Sequence, residues 1–123
     1  MQEKKKILIV DDAEMIRRFL QDFLRLYGFE VHSAQNGKDA LALIEKEHFD
    51  IIITDYSMPE MNGVELAMVV RSQNPTVLII GISGECNEKD FLQAGANAFF
   101  SKPVQLSQVL SVCQSKNFAA EGS

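Results

Sequence analysis

The chain has 123 residues, of which 46% are hydrophobic and 24% are charged. This length fits one globular domain, and this composition excludes an intrinsically disordered chain. Because every apolar run is far shorter than the roughly 20 residues of a membrane-spanning helix, we expect no insertion into a bilayer. The polar opening residues do not resemble a signal peptide, and the two isolated cysteines form neither a disulfide framework nor a zinc site, so we expect a cytoplasmic protein.

The net charge of −5, from 17 acidic and 12 basic residues, argues against a nucleic-acid-binding surface. One basic run, Lys4 to Lys6, is predicted to be a solvated lead-in to a buried strand. Cys113 lies in an apolar helical pattern, which predicts a place in the core. Cys86 lies in a polar stretch, which predicts exposure to solvent.

Short apolar runs alternate along the chain with amphipathic segments, which is typical of βα units around a parallel sheet. The predicted strands are residues 7–10, 30–34, 51–53, 77–82 and 98–100. The predicted helices lie around residues 16–24, 40–44, 64–72, 91–94 and 106–113. In the first helix, the side chains spaced to form one buried face are Ile16, Phe19, Leu20, Phe23 and Leu24.

Five strands and five helices in alternation predict a doubly wound, flavodoxin-like α/β fold with strand order 2-1-3-4-5. This order places strands 1, 3 and 4 in the middle of the sheet, and those three runs are the most apolar. We expect residues 1–123 to form a single domain with a core of about residues 5–115 and a frayed tail from about residue 116. Ligands of such sheets bind at the carboxyl ends of the strands, beside the point where the strand order reverses.

Polar residues with a consistent chemistry occur at these strand ends. Asp11 and Asp12 follow strand 1, Asp55 follows strand 3, Ser83 ends strand 4 and Lys102 follows strand 5. Three carboxylates at one crevice would repel one another, and a hard cation with oxygen ligands, best Mg²⁺, relieves this repulsion. With the lysine as a further positive charge and the serine as a hydroxyl donor, the site is suited to receive a phosphoryl group on a carboxylate oxygen.

Each of these residues also has an ordinary structural interpretation. Asp11 and Glu14 have the spacing of a helix N-cap and its acidic third position, and Asp12 could cap the first helix alone. Asp55 could form a turn, and the remaining residues could belong to a loop and to the surface. The occurrence of all of them at one edge of the predicted sheet favours the functional interpretation.

The segment from Asp50 to Gly63, with Asp55 inside it, resembles the phosphoacceptor segment of the receiver domain of two-component response regulators. Further positions match the same family in the expected order: Asp11, Asp12, Ser83 and Lys102-Pro103. The resemblance covers about residues 5–115. It implies that Asp55 accepts a phosphoryl group from a histidine of a partner kinase or phosphotransfer protein.

The resemblance also implies the ligands of a magnesium ion. Asp12 and Asp55 would bind Mg²⁺ directly, together with the backbone carbonyl of Ser57. Asp11 would act through a water molecule. Lys102 would pair with Asp55 or with its phosphate.

Conformational switching is implied as well. Ser83 would move to donate a hydrogen bond to a phosphate oxygen, and Phe99 would occupy the aromatic switch position that rotates inward as Ser83 moves. Lys102-Pro103 resembles the cis peptide of the family. These changes would alter a surface of helix 4, strand 5 and helix 5 that a downstream protein recognises.

One feature departs from the family pattern. Ser83 and Lys102 are separated by 19 positions, about one helical turn fewer than we expect for a receiver. We therefore predict a helix 4 that is shorter by about one turn, or a tightened loop before it. This shortening affects the surface that the family uses for output and leaves the phosphorylation site unchanged.

Other classes of protein fit less well. A haloacid-dehalogenase-type phosphatase needs Asp-x-Asp after strand 1, whereas Asp11-Asp12-Ala13 stands here, and neither a flavodoxin phosphate loop nor a P-loop motif occurs. Two alternatives remain: a degenerate receiver that only binds, and a receiver excised from a larger response regulator or hybrid kinase. We expect a signalling phosphoacceptor that assists its own phosphorylation and dephosphorylation, and not a turnover enzyme. Because no DNA-binding module follows, we expect no direct binding to DNA.

Overall fold

The computed structural model describes residues 4–85 and 87–115, and it confirms the doubly wound α/β fold. The strands are β1 Lys6–Val10, β2 Glu30–Ala34, β3 Ile51–Asp55, β4 Leu78–Ser83 and β5 Ala98–Ser101. The helices are α1 Glu14–Leu26, α2 Gly37–Lys46, α3 Gly63–Gln73, α4 Glu88–Gln93 and α5 Leu106–Gln114. Neighbouring strands are parallel, and the sheet order is β2-β1-β3-β4-β5, as predicted.

The three central strands are buried on both faces by two layers of helices. Every residue of β3 and of β4 is buried, whereas the edge strands β2 and β5 keep partly exposed positions. Successive side chains point to opposite faces, so Ile7 and Ile9 pack in the layer of α1 and α5 while Leu8 and Val10 pack in the layer of α2, α3 and α4. Each face of the sheet therefore has its own hydrophobic core.

Cys113 is fully buried in the core beneath α5, which confirms its predicted place. Cys86 and the tail from residue 116 lie outside the described residues, so their predicted exposure and fraying stay predictions. None of the helices within residues 4–85 and 87–115 combines the length and the apolar character needed to cross a membrane.

The buried face of α1 is narrower than its sequence suggests. Leu20 and Leu24 are buried, but Phe19 is 58% exposed, so its predicted place in the buried face is wrong. Residues 19 and 20 lie about 100° apart around a helix, and the sheet and α5 cover only the side that carries Leu20. Met15 and Leu26, both more than 80% exposed, extend the uncovered apolar side of this helix.

Helix α4 has six residues, which confirms the predicted shortening. The fully buried ring of Phe91 anchors this short helix to the sheet. A Cβ atom added at Gly81 would lie 2.5 Å from the Phe91 ring, and one added at Gly63 would lie 3.0 Å from it. The ring thus occupies space that the two glycines leave free, and it fixes α4 above β4.

Candidate functional site

Three carboxylates converge at the carboxyl ends of β1 and β3. Asp11 follows β1 and Asp55 ends β3, and both are buried, whereas Asp12 is exposed. The two strands are neighbours in the sheet, with Val10 in register with Thr54. Consequently one carboxylate oxygen from each aspartate lies within 4.8 Å of one from each of the other two.

Lys102, which follows β5, points its ammonium group into this cluster. Its Nζ lies 3.0 Å from Oδ1 of Asp55 and 3.7 Å from Oδ2 of Asp11. One ammonium group therefore lies against two of the three carboxylates, and the third, that of Asp12, belongs to the same cluster. The cluster has a negative formal charge, and protein partly encloses it.

The electrostatic strain of this arrangement is visible in the pKa of Asp11. Burial raises the pKa of the Asp11 carboxyl above its ordinary value, and the charge of Asp55 raises it further. The hydrogen bond from the Ala13 backbone and the charge of Lys102 offset this only in part. Burial alone would lower the pKa of Lys102, but its hydrogen bond to Asp55 and the surrounding negative charges raise that pKa above its ordinary value.

The donor set suits a hard divalent cation. All three side chains offer carboxylate oxygens, and their combined negative charge exceeds the positive charge of the single lysine. Because Asp12 is exposed, a cation can reach the cluster from solvent. Mg²⁺ prefers such oxygen ligands and retains several waters. Ser57, predicted to contribute its backbone carbonyl, lies exposed in the loop two residues after Asp55, and its role as a ligand stays a prediction.

Asp11 is positioned by the start of α1, and it does not cap that helix. The Ala13 backbone N–H donates to Oδ1 of Asp11 at 2.9 Å, which leaves Oδ2 facing Lys102. The N-cap residue of α1 is Ala13, whose methyl side chain accepts no hydrogen bond. The alternative that Asp11 or Asp12 caps this helix is therefore wrong. Arg17 Nη1 donates to the backbone carbonyl of Asp11 at 2.7 Å, a contact that the sequence did not predict.

The loop after β3 packs tightly against the backbone of Asp55. The Gly63 backbone N–H donates to the Tyr56 carbonyl at 2.9 Å, and the Tyr56 N–H donates to the Ile82 carbonyl at 2.9 Å. A Cβ atom at Gly63 would collide with the backbone carbonyl oxygen of Asp55, so only glycine fits this position. The sequence showed Gly63 as part of a motif, but it did not reveal this close approach.

Ser83 lies at the end of β4 and is 2% exposed. Its hydroxyl donates to Oδ1 of Asn87 at 2.6 Å and accepts a hydrogen bond from the Glu85 backbone N–H at 2.9 Å. The backbone N–H of Lys102 donates to the Ser83 carbonyl at 2.9 Å, which ties the ends of β4 and β5 together. Asn87 was not among the predicted site residues, since an asparagine before a helix is more simply interpreted as a cap.

Phe99 is half-buried in β5, in register with Gly81, and its ring centroid lies 5.8 Å from that of Phe91. The peptide bond between Lys102 and Pro103 is cis, as the resemblance implies. The rotation of Phe99 between two positions stays a prediction.

A buried aspartate at the end of β3, with two neighbouring carboxylates and one lysine on a five-stranded parallel sheet, defines a receiver-type site. Comparison with known proteins agrees with this class. The family model described as the response regulator receiver domain matches residues 7–114. The chain belongs to this family.

Relatives and solved structures give the same picture. The transcriptional regulatory protein SrrA of Staphylococcus aureus is 34% identical over 107 residues, which cover 85% of this chain but only 44% of that protein. The chemotaxis response regulator CheY4 of Vibrio cholerae matches with a TM-score of 0.84 and 33% identity, covering 91% of this chain and 98% of its own. A CheY-like receiver domain protein from Methanospirillum hungatei reaches a TM-score of 0.91 at 31% identity, covering 98% and 100% of the two chains.

The response regulator TrrA of Thermotoga maritima, solved in complex with Mg²⁺ and BeF, has a TM-score of 0.83 and 28% identity, covering 89% of this chain and 96% of its own. Receiver domains of this family interact with histidine kinases and with downstream effectors. The chain spans less than half the length of the curated relative it matches.

Proposed function

We propose that this receiver domain accepts a phosphoryl group on Asp55 from a phosphohistidine of a partner kinase or phosphotransfer protein. The main support is the buried carboxylate of Asp55, whose Oδ1 lies 3.0 Å from Lys102 Nζ and beside Asp11 and Asp12. In the transfer, an oxygen of Asp55 attacks phosphorus while the bond between phosphorus and the histidine nitrogen breaks. The electron pair of that bond returns to the imidazole ring, and an aspartyl phosphate forms.

The same geometry supports a site for Mg²⁺. Asp12 and Asp55, with the backbone carbonyl of Ser57, would hold the ion, and Asp11 would act through water. Bound Mg²⁺ supplies positive charge that balances the negative charge of the phosphoryl oxygens. The relative from Thermotoga maritima, whose structure includes Mg²⁺ and BeF, supports this assignment.

The chain's own residues then orient and stabilise the phosphoryl group. The Lys102 ammonium, already within 3.0 Å of Asp55, would bind a phosphoryl oxygen once the carboxylate is esterified. Ser83, at the end of β4, would donate a hydrogen bond from its hydroxyl to another phosphoryl oxygen. Both side chains would gain a partner in the phosphorylated state only, and this difference biases the domain between two arrangements.

We infer that the output is a change in a protein-binding surface formed by α4, β5 and α5, with Phe99 at its centre. The domain would act in the cytoplasm as a phosphoacceptor that assists its own phosphorylation and dephosphorylation, without turnover of a further substrate. We propose that it contacts a downstream protein and not DNA, consistent with its net charge of −5. The greater length of the curated relative supports the alternative that the domain belongs to a larger response regulator.

Intact mass after incubation with a small-molecule phosphodonor, such as acetyl phosphate, tests the proposal. We expect the mass of one phosphoryl group to be added in the presence of Mg²⁺ and not in the presence of a chelator. The matched control is Asp55→Asn, which keeps the shape of the side chain and should gain nothing. No gain for the wild-type domain under any condition would instead support a receiver that only binds.

A further inference from the structure

The only proton of the Ser83 hydroxyl is already used in a hydrogen bond. A serine hydroxyl has one proton to donate, and here that proton goes to Oδ1 of Asn87 at 2.6 Å. The Glu85 backbone N–H donates to the same hydroxyl at 2.9 Å. Ser83 therefore cannot donate to a phosphoryl oxygen while it donates to Asn87.

The bond between Ser83 and Asn87 is sheltered from water. Ser83 is 2% exposed and Asn87 is 9% exposed. A buried carbonyl oxygen that loses its donor costs free energy unless another donor replaces it. Breaking the hydrogen bond from Ser83 to Asn87 therefore costs free energy, and this cost opposes the movement of Ser83.

We propose that Asn87 is a positioning residue that holds the Ser83 hydroxyl in the unphosphorylated arrangement and competes with the phosphoryl group for its proton. This inference rests on the proposed function, in which Ser83 donates to a phosphoryl oxygen. Asn87 acts through Ser83, and it sets how readily phosphorylation shifts the domain.

The position of Asn87 links this competition to α4. Asn87 directly precedes the helix, and its backbone carbonyl accepts from the Phe91 N–H at 3.0 Å. Its backbone angles of φ −110° and ψ 11° are not the extended ones of an ordinary N-cap, and its side-chain oxygen accepts from Ser83 and not from the helix. When Ser83 donates to a phosphoryl oxygen instead, Asn87 Oδ1 loses its donor, so the competition acts on the residue that directly precedes α4.

Affinity for beryllofluoride, a stable mimic of the phosphoryl group, measures the competition. We would titrate it in the presence of Mg²⁺ and follow backbone amide signals by NMR. Asn87→Ala removes the competing acceptor, so we expect beryllofluoride to bind about fivefold to tenfold more tightly, the effect of one neutral hydrogen bond. Asn87→Asp keeps an acceptor and adds a negative charge, so we expect weaker binding than in the wild-type domain.

Two controls separate a positioning role from a general structural one. In a Ser83→Ala background the hydroxyl is absent, and Asn87→Ala should leave the affinity unchanged. Asn36→Ala removes an asparagine that caps α2, where Asn36 Oδ1 accepts from the Asp39 N–H at 2.7 Å. It should lower stability without changing the affinity for beryllofluoride.

Unchanged affinity in Asn87→Ala would overturn the inference, and so would an equal gain in the Ser83→Ala background, because the effect would then not pass through the hydroxyl. If the wild-type domain bound no beryllofluoride, the proposed function itself would fail and this inference with it. That result is distinguishable, since it appears before any substitution at Asn87 is made.

Discussion

Two charged clusters lie at opposite ends of the sheet, and they differ in how deeply their carboxylates are buried. At the amino ends, Lys6 Nζ lies 2.7 Å from Glu47 Oε1 and 3.7 Å from Glu30 Oε2. At the carboxyl ends, Lys102 faces the cluster of Asp11, Asp12 and Asp55. Each cluster thus contains one lysine among carboxylates, but the glutamates are 35% and 47% exposed at their side chains whereas Asp11 and Asp55 are each 5% exposed.

The pKa values show what this difference in exposure means. At the amino ends, the hydrogen bond from Lys6 lowers the pKa of Glu47, the hydrogen bond with His32 lowers the pKa of Glu30, and the bond to Glu47 raises the pKa of Lys6. Each charge is therefore favoured by its neighbours. At the carboxyl ends, burial and Asp55 raise the pKa of Asp11, so its charge is disfavoured. The charges of the first cluster therefore stabilise one another without a further ion, whereas the second cluster retains negative charge that a cation would neutralise.

Removal of the lysine from each cluster should give the largest difference in stability between the two clusters. Lys102→Ala leaves buried carboxylates without a cation, and we expect the free energy of unfolding to fall by about 2 kcal/mol in the presence of a chelator. Urea unfolding measures this loss, and added Mg²⁺ should recover much of it. Lys6→Ala should cause a much smaller change that Mg²⁺ does not reverse. Equal losses in the two variants would contradict the contrast between the clusters.

Loss of a carboxylate should affect cation binding at one edge only. Asp12→Ala removes an exposed oxygen ligand, and we expect affinity for Mg²⁺ to fall by about tenfold or more. Titration with Mg²⁺, followed by amide NMR signals, measures this affinity. Glu47→Gln is the matched control and should leave it unchanged. If Asp12→Ala binds Mg²⁺ as well as the wild-type domain does, the assignment of the metal ligands is wrong.

Neutralising Asp11 should stabilise the domain when no cation is added. Asp11→Asn keeps an oxygen that accepts from Ala13, and it removes a disfavoured charge. We therefore expect the free energy of unfolding to rise by about 1 kcal/mol at neutral pH in the presence of a chelator. A lower stability of the variant would show that the ion pair with Lys102 outweighs the repulsion.

The pH dependence of this effect follows from the raised pKa of Asp11. Because the pKa of Asp11 is raised in the folded state, the contribution of this carboxyl to stability is fully present below its ordinary pKa of 3.8. That contribution is lost as the pH rises through the folded pKa. The gain from Asp11→Asn should therefore vanish toward acid pH, where the wild-type carboxyl is also neutral. Unfolding of both proteins over a range of pH checks this convergence.

The smallest effect on stability should come from a substitution in the exposed cluster of Lys6, Glu30 and Glu47. Because the pKa of Glu47 is lowered from 4.5, its contribution to stability is present above that value and is lost as pH falls through the folded pKa. We expect Glu47→Gln to lower the unfolding midpoint only slightly at neutral pH, and not at all at acid pH or in 1 M salt, at which the Debye length is about 3 Å. A large effect that salt does not reduce would mean that this cluster is not solvated.

Much of the site was predictable because its residues directly follow strands. Asp11, Asp55 and Ser83 stand at the ends of apolar runs, and parallel strands bring such ends to one edge of the sheet. The short α4 was predictable from the spacing between Ser83 and Lys102. In contrast, the bond from Ser83 to Asn87 depends on where the start of α4 lies relative to the end of β4, and no periodicity in the sequence encodes that placement.

The amino-acid sequence by itself determined the alternation of strands and helices, the central place of the apolar strands and the residues at their carboxyl ends. These properties follow from local patterns of apolar and polar side chains. Only the tertiary structure decided which side of α1 is covered, leaving Phe19 exposed, and which residue must be glycine beside Asp55. Those outcomes depend on how closely segments pack against one another, and this packing is fixed only when the whole domain has folded.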